Sequence, residues 1–268
     1  MPVSLQCHSF TPSLPRRNIM PVYLLRHGES EHNIAIKQYM TEHTETHILE
    51  WWQIEDSFDP KIRDADLTEK GVSQAQEVRE EVNALRPSLL MMSPLTRNLR
   101  TGLESCADLL KKNQSNSISG DMSAAPLTVQ ITPHLREHTY SSCDLGSPVE
   151  TLQTSFPHWT EELTEVPAKW WCHSDAVEDP NSRISCREPW QALQDRAEIL
   201  CAMITTAQQD HECIIVVGHA VLFYALTGEW LSNCQLMELD MTKLRARCSC
   251  QSPACCCENP DFDAAKHT

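Results

Sequence analysis

The apolar residues of this chain fall into two patterns. Short unbroken runs mark strands buried on both faces, while apolar positions three and four residues apart mark helices with one buried side. Strands are predicted at Pro21-Val-Tyr-Leu-Leu25, Ser88-Leu-Leu-Met-Met92, Leu127–Ile131 and Cys213-Ile-Ile-Val-Val217, with a last one at Leu236–Met241. Between them, Thr68 can cap a helix reaching Leu85 that aligns Val72, Ala75, Val78, Val82 and Leu85. A second helix starts at Pro94 and carries Leu99, Leu103 and Ala107 to about Lys111; a third starts at Pro189 and carries Leu193, Ala197, Leu200 and Ile204 to Gln209. An apolar helix follows Gly218-His219 to about Leu231, and the polar residues 112–126 predict a loop. Strand and helix alternate without an internal repeat. The expected fold is α/β, a three-layer sandwich with a mainly parallel sheet covered by helices on both faces. Such sheets bind ligands beyond the carboxyl ends of their strands, so those ends are where chemistry is expected.

Composition narrows the function classes. The 268 residues are 41% hydrophobic and 22% charged, which supports a real core. Residues 21–242 are expected to form a single domain. Residues 1–20 hold Pro2, Pro12, Pro15, Arg16 and Arg17 without an acidic residue, and read as a disordered leader with organelle targeting as the alternative. Residues 243–268 place Cys248, Cys250, Cys255, Cys256 and Cys257 after Lys243, Arg245 and Arg247. A disordered tail is expected there, with membrane association through S-acylation, or metal binding, as alternatives. The formal charge of −15 repels polyanions, so nucleic acid is not an expected partner. An anionic substrate would need a local cluster of Arg and His. The 13 Cys are odd in number and eight are scattered ahead of the tail, which argues for reduced thiols over a secreted disulfide framework. No apolar run approaches the roughly 18 residues of a membrane span. The expectation is a soluble, cytoplasmic protein.

Two predicted strands end in His beside Gly: Arg26-His27-Gly28-Glu29 and Gly218-His219. In a chain with only seven Gly, this predicts sharp turns that leave both imidazoles room at the sheet edge. Arg26, next to His27, disfavours imidazolium and keeps the ring nucleophilic. Five motifs then occur in order over residues 20–231. They are Leu24-Leu25-Arg26-His27-Gly28-Glu29-Ser30-Glu31-His32-Asn33; Asp66-Leu67-Thr68 with Gly71, Gln74 and Ala75; Ser93-Pro94-Leu95-Thr96-Arg97 with Thr101; Leu135-Arg136-Glu137; and Val216-Val217-Gly218-His219. In these the chain resembles the histidine phosphatase superfamily, in its phosphoglycerate mutase-like branch.

The resemblance implies a phosphoglycerate mutase-like fold and a metal-independent phosphatase that hydrolyses a phosphomonoester. His27 would form a phosphohistidine intermediate, and His27, Glu137 and His219 would be catalytic. Arg26, Asn33, Arg97 and His219 would bind phosphate, with no metal and no cofactor. Glu137 would be the general acid and then the general base, a role that needs partial burial. The substrate would be a small phosphorylated molecule or a phosphoprotein, and a homodimer stands by analogy alone. Cys143 to Pro148, with Phe156, Trp159, Trp170 and Trp171, would form a cap beside the phosphate, its aromatics expected to pack more than to bind. Departures are visible too. Arg100 stands where the family usually has Gln, either a second cation near the site or a solvated side chain, and Pro189 replaces a Ser after Glu188. Neither the Thr-Gly-rich stretch nor the Arg-Arg pair of the mutases is present, since residues 140–187 contain only Arg183 and Arg187. Hydrolysis is therefore expected, with phosphoglycerate mutase-type transfer and an inactive phosphate-binding or scaffold protein as the alternatives. His43 and His47 with Glu50 have a spacing that can bind zinc, but a solvated His-rich loop is the expectation.

Overall fold

A computed structural model describes residues 20–43, 59, 61–119, 126–174 and 177–242. The leader, the stretch holding His47, Glu50, Trp51 and Trp52, and the Cys-rich tail lie outside the described residues. The strands are β1 (Val22–Arg26), β2 (Leu89–Met92), β3 (Thr128–Ile131), β4 (Ile214–Gly218) and β5 (Leu236–Glu238). The helices are α1 (Glu31–Glu42), α2 (Glu69–Glu77), α3 (Arg79–Leu85), α4 (Thr96–Ser105), α5 (Ala107–Ser119), α6 (Val149–Ser155), α7 (Thr160–Thr164), α8 (Arg183–Cys186), α9 (Trp190–Ala207) and α10 (Ala220–Thr227). One sheet runs in the order β3-β2-β4-β1-β5, parallel throughout except for β5, which pairs antiparallel with β1.

Alternate residues of the central strands serve opposite layers, as the period of two requires. Leu25, Leu90, Met92, Ile215 and Val217 pack with Val82 of α3, Leu99 of α4, Leu152 of α6 and Leu163 of α7. Val22, Leu24, Leu89, Met91, Ile214 and Val216 pack instead with Leu193 and Leu200 of α9 and Leu222 of α10. This is the expected three-layer α/β sandwich. The first core also absorbs Phe156, Trp159, Trp170 and Trp171. The indoles of Trp170 and Trp171 donate to the carbonyls of Ser147 (3.0 Å) and Pro180 (2.7 Å). These aromatics are packing.

Four helix boundaries differ from expectation. The helix from Thr68 breaks at Val78, and the helix from Pro94 breaks at Cys106 and resumes as α5. α5 continues to Ser119, through much of the stretch expected as loop. Asn113 on α5 clasps the start of the third strand, donating to the Leu127 carbonyl (2.7 Å) and accepting from its amide (3.0 Å). Such tertiary contacts override the weak helix propensity of Asn and Ser, a few tenths of a kcal/mol to about 0.7 per residue. α10 stops at Thr227, short of Leu231, because Gly228 takes a left-handed conformation (φ 79°) that caps it.

The glycines beside the two His do not make sharp turns; neither has left-handed backbone. They are needed for close approach. A Cβ on Gly28 would lie 2.4 Å from the Gly71 carbonyl oxygen, and one on Gly71 would lie 2.0 Å from the Glu29 carbonyl oxygen. The His27 loop and the first turn of α2 therefore touch backbone to backbone. Gly71→Ala is expected to lower the urea midpoint by the equivalent of about 1–3 kcal/mol, the usual cost of overpacking. An unchanged midpoint would mean that this contact is loose.

Candidate active site

The register of the central strands builds the site. β1 and β4 are parallel neighbours with Arg26 opposite Gly218, so the next residue on each strand is His27 or His219. The His27 amide donates to the Gly218 carbonyl (3.1 Å), extending the ladder by one residue. The two buried rings meet edge to face, centroids 5.1 Å apart and 62° between planes. The sequence motifs then lock the His27 loop from three sides. Gly28 donates its amide to Thr101 Oγ1 (3.1 Å), and that hydroxyl donates to the Arg97 carbonyl (2.7 Å). Glu29 donates its amide to Gln74 Oε1 (2.8 Å). Asn233 donates to the His27 carbonyl (3.0 Å) and to Asn33 Oδ1 (3.3 Å).

The other two parallel strands deliver the remaining groups. Arg97 occupies the first turn of α4, just beyond β2, and is buried. It donates from Nη1 to the Cys143 carbonyl and from Nη2 to Asp144 Oδ1, both at 2.8 Å. Asp144 Oδ2 accepts in turn from the amides of Tyr140 (3.3 Å) and Ser141 (3.2 Å). Arg26 is buried and donates to the Leu231 carbonyl (2.7 Å). Glu137 follows β3 and a short 3-10 turn at Pro133–Leu135. Its carboxyl crosses to the start of α10, which His219 caps, where Oε2 accepts from the Val221 amide and Oε1 from the Leu222 amide, each at 3.2 Å. Oε1 also accepts from the His138 amide (2.8 Å).

Burial drives these groups in opposite directions. It holds His27 well below the ordinary imidazole range, and the nearby Arg97 and Arg26 cations add to the effect. His219 is held down in the same way, by burial, Arg97 and His27. His27 Nδ1 lies 2.7 Å from the Gly28 carbonyl oxygen, which can only accept, so Nδ1 carries the proton and Nε2 the lone pair. Neither ring nitrogen of the fully buried His219 has a hydrogen-bond partner among the described residues. A buried polar group in that condition costs about 1–3 kcal/mol, which makes it a mark of function more than of packing. Glu137 goes the other way. Burial and the neighbouring Asp144 raise it, the His138 and Val221 amides and Arg97 pull it back, and the result is about 7. Arg26 is pushed down to about 10 by burial and stays cationic at neutral pH.

The structure thus brings together Arg26, His27, Arg97, Glu137 and His219 from the ends of four parallel strands. Asn33 stands one step back. Its oxygen completes the capping box of α1 with Ser30 and accepts from Asn233, through which it reaches the His27 backbone. Arg100 is half-buried; it ion-pairs with Asp66 (2.8 Å) and lies over the Phe156 ring (5.1 Å). His43 stacks on Tyr39 with Nδ1 2.9 Å from the Tyr39 carbonyl oxygen. Among the described residues no group of three or more His, Cys, Asp or Glu is arranged to hold a metal ion. Asn233, in the loop before β5, carried no sequence signal, and Asp144, inside the stretch expected to cap the site, finds its partner Arg97 only through the fold.

Comparison with known proteins gives the family. A profile of the histidine phosphatase superfamily (branch 1) matches residues 52–252, well over half of the chain. No curated protein matches the sequence significantly. Similar solved structures include a putative alpha-ribazole-5'-P phosphatase from Escherichia coli, at 19% identity, 85% of this chain and 95% of that one, with a TM-score of 0.46. A mycobacterial glucosyl-3-phosphoglycerate phosphatase in complex with VO3 is 17% identical over 85% and 96%, with a TM-score of 0.46. A phosphoserine phosphatase mutant from Entamoeba histolytica, in complex with phosphoserine, is 17% identical over 81% and 89%, with a TM-score of 0.39. The matched stretch begins after the Arg26-His27-Gly28 run, and pairing of β1 with β4 seats Arg26 in the sheet with His27 directly beyond it. With its three-layer α/β sandwich, the chain belongs to the histidine phosphatase superfamily, branch 1.

Proposed function

We propose that the protein hydrolyses a phosphomonoester without a metal ion, through a phosphohistidine formed on His27. One observation carries this reading: a buried imidazole, kept neutral and with its Nδ1 proton engaged by Gly28, stands against His219 between two buried guanidinium groups. The Nε2 lone pair attacks phosphorus as the bond to the leaving oxygen breaks, and the Glu137 carboxyl gives that oxygen its proton. Glu137, now a carboxylate, takes a proton from water as the water oxygen attacks phosphorus. The P–N bond breaks, which frees inorganic phosphate and restores His27. Arg26, Arg97 and an N–H of His219 balance the charge on the equatorial oxygens, the task for which other phosphoryl-transfer enzymes use a metal ion.

Hydrolysis is favoured over transfer to a second position by how the two Arg of residues 140–187 are used. Arg183 is ion-paired with Asp59 (3.0 Å) and donates to the Tyr140 carbonyl, while the Arg187 guanidinium lies 4.2 Å from the centre of the Tyr140 ring. Both are engaged by Asp59 and Tyr140, and they do not form the Arg-Arg pair that would hold the carboxylate of a phospho-acid for rephosphorylation.

Three outcomes are expected. Purified protein given phosphoglycerates, sugar phosphates and phosphopeptides with EDTA present releases inorganic phosphate, and His27→Ala abolishes the release. Loss of activity on chelation, or an isomerised phospho-acid in place of free phosphate, would contradict the reading. Second, histidine-selective NMR titration shows His27 neutral as pH falls through 6.5, the ordinary imidazole value. A proton taken up at or above that pH would remove the nucleophile. Third, Glu137 acts as an acid only while protonated, so kcat/KM on an alkyl phosphate declines as pH rises through about 7. Glu137→Gln abolishes that limb and lowers the rate by about 10²–10⁴-fold. On p-nitrophenyl phosphate, whose leaving group needs no proton, the loss in kcat/KM, which reports only the steps up to leaving-group release, is much smaller, whereas equal losses in kcat/KM on both would assign Glu137 another role.

A further inference from the structure

We propose that Arg196, anchored by Glu188, is a positioning residue that holds the Glu137 carboxyl in register with the leaving oxygen while touching no substrate itself. The inference rests on the reading of Glu137 as proton donor. It starts from a backbone problem. Residues 134–138 leave the sheet after β3, so their carbonyls have no strand ladder to pair with, and buried carbonyls need donors. One guanidinium supplies three of them. From α9, Arg196 Nη1 donates to the carbonyls of His134 (3.0 Å) and Arg136 (2.6 Å), and Nη2 donates to the carbonyl of Glu137 itself (3.3 Å).

The guanidinium is fixed in turn. Its Nε and Nη2 donate to the two oxygens of Glu188, at 3.0 and 2.6 Å, and the Glu188 side chain is fully buried. Arg136 Nη2 donates to the same carboxylate (2.7 Å). Glu188 also reaches the segment through its own backbone. Its amide donates to the Thr139 carbonyl (3.0 Å), and its carbonyl lies 2.8 Å from His138 Nε2. The segment from His134 to Thr139 is therefore tied down on one side, while on the other the Glu137 carboxylate is gripped by the first-turn amides of α10.

A device whose only purpose was to join α9 to the sheet would not need this geometry. α9 already buries Leu193, Ala197, Leu200 and Ile204 against it. Two guanidinium groups against one carboxylate is also an expensive choice for a buried joint, which apolar packing would serve as well. What the planar fork provides is simultaneous aim at several carbonyls, which a lysine ammonium cannot reproduce. Displacement of a catalytic group by about 1 Å can cost on the order of a hundredfold in rate.

The test compares leaving groups, a readout that a structural role would not move. kcat/KM, which reports only the steps up to leaving-group release, is measured on β-glycerophosphate and p-nitrophenyl phosphate for the full chain, Glu137→Gln, Arg196→Lys, Glu188→Gln and the double variant Glu137→Gln/Arg196→Lys. Arg196→Lys is expected to lose about 10–100-fold on β-glycerophosphate and under about threefold on p-nitrophenyl phosphate, and to add little to Glu137→Gln. Equal losses on both substrates, or losses that multiply in the double variant, would overturn the proposal and leave the proton-donor reading standing. If Arg196→Lys does not fold, Glu188→Gln, which keeps the shape and removes the anchoring charge, is read by the same criterion. If Glu137→Gln itself loses equally on both substrates, the proton-donor reading fails first and this inference fails with it.

Discussion

Arg26 lies opposite Gly218 in a parallel pair of strands, and most of the site follows from that register. Parallel neighbours deliver consecutive residues to the same edge of a sheet, so the residues after the paired positions, His27 and His219, meet there. A slip of one residue would send one strand's side chains into the opposite layer and part the two imidazoles at the sheet edge. The register is therefore held by hydrophobic burial in the two layers that sandwich the sheet. The chemistry depends on the same contacts as the stability.

Burial then acts on the site as a single cause with two results. Removal from water disfavours charge, so it lowers both imidazoles toward neutrality and raises the Glu137 carboxyl toward protonation. A neutral base beside a protonated acid near neutral pH is the combination that attack on phosphorus with protonation of a leaving group requires. The fixed cations sharpen one half of this division and limit the other. Arg97 pushes His27 and His219 further down while drawing Glu137 back from a still higher value. Asp144 holds Arg97 in place and at the same time raises Glu137, so one buried acid acts on both a buried cation and a buried carboxyl.

Much of this was legible in the sequence because it is local. Unbroken apolar runs gave the four parallel strands, the residues just after two of them gave His27 and His219, and the resemblance to the family gave Arg97 and Glu137. What could not be read is what happens between segments distant along the chain. Gly28 and Gly71 are glycines because two backbones touch, which no turn preference reveals. Asp144 pairs with Arg97 across 47 positions and Arg196 reaches Glu137 across 59. The polar stretch after Lys111 reads as loop because Asn and Ser weaken helices, yet one clasp from Asn113 to Leu127 accompanies a helix that runs to Ser119. Arg100, left open in the sequence between a second site cation and a solvated side chain, pairs with Asp66, 34 positions away.

The central claim is that the His27 imidazole accepts phosphorus covalently, and rapid-quench trapping tests it most directly. Protein mixed with a 32P-labelled phosphomonoester and stopped in alkali within the first turnover is predicted to carry acid-labile, base-stable label in the peptide containing His27, bound at Nε2. Label on any other residue, or none under conditions where phosphate is being released, would contradict the account.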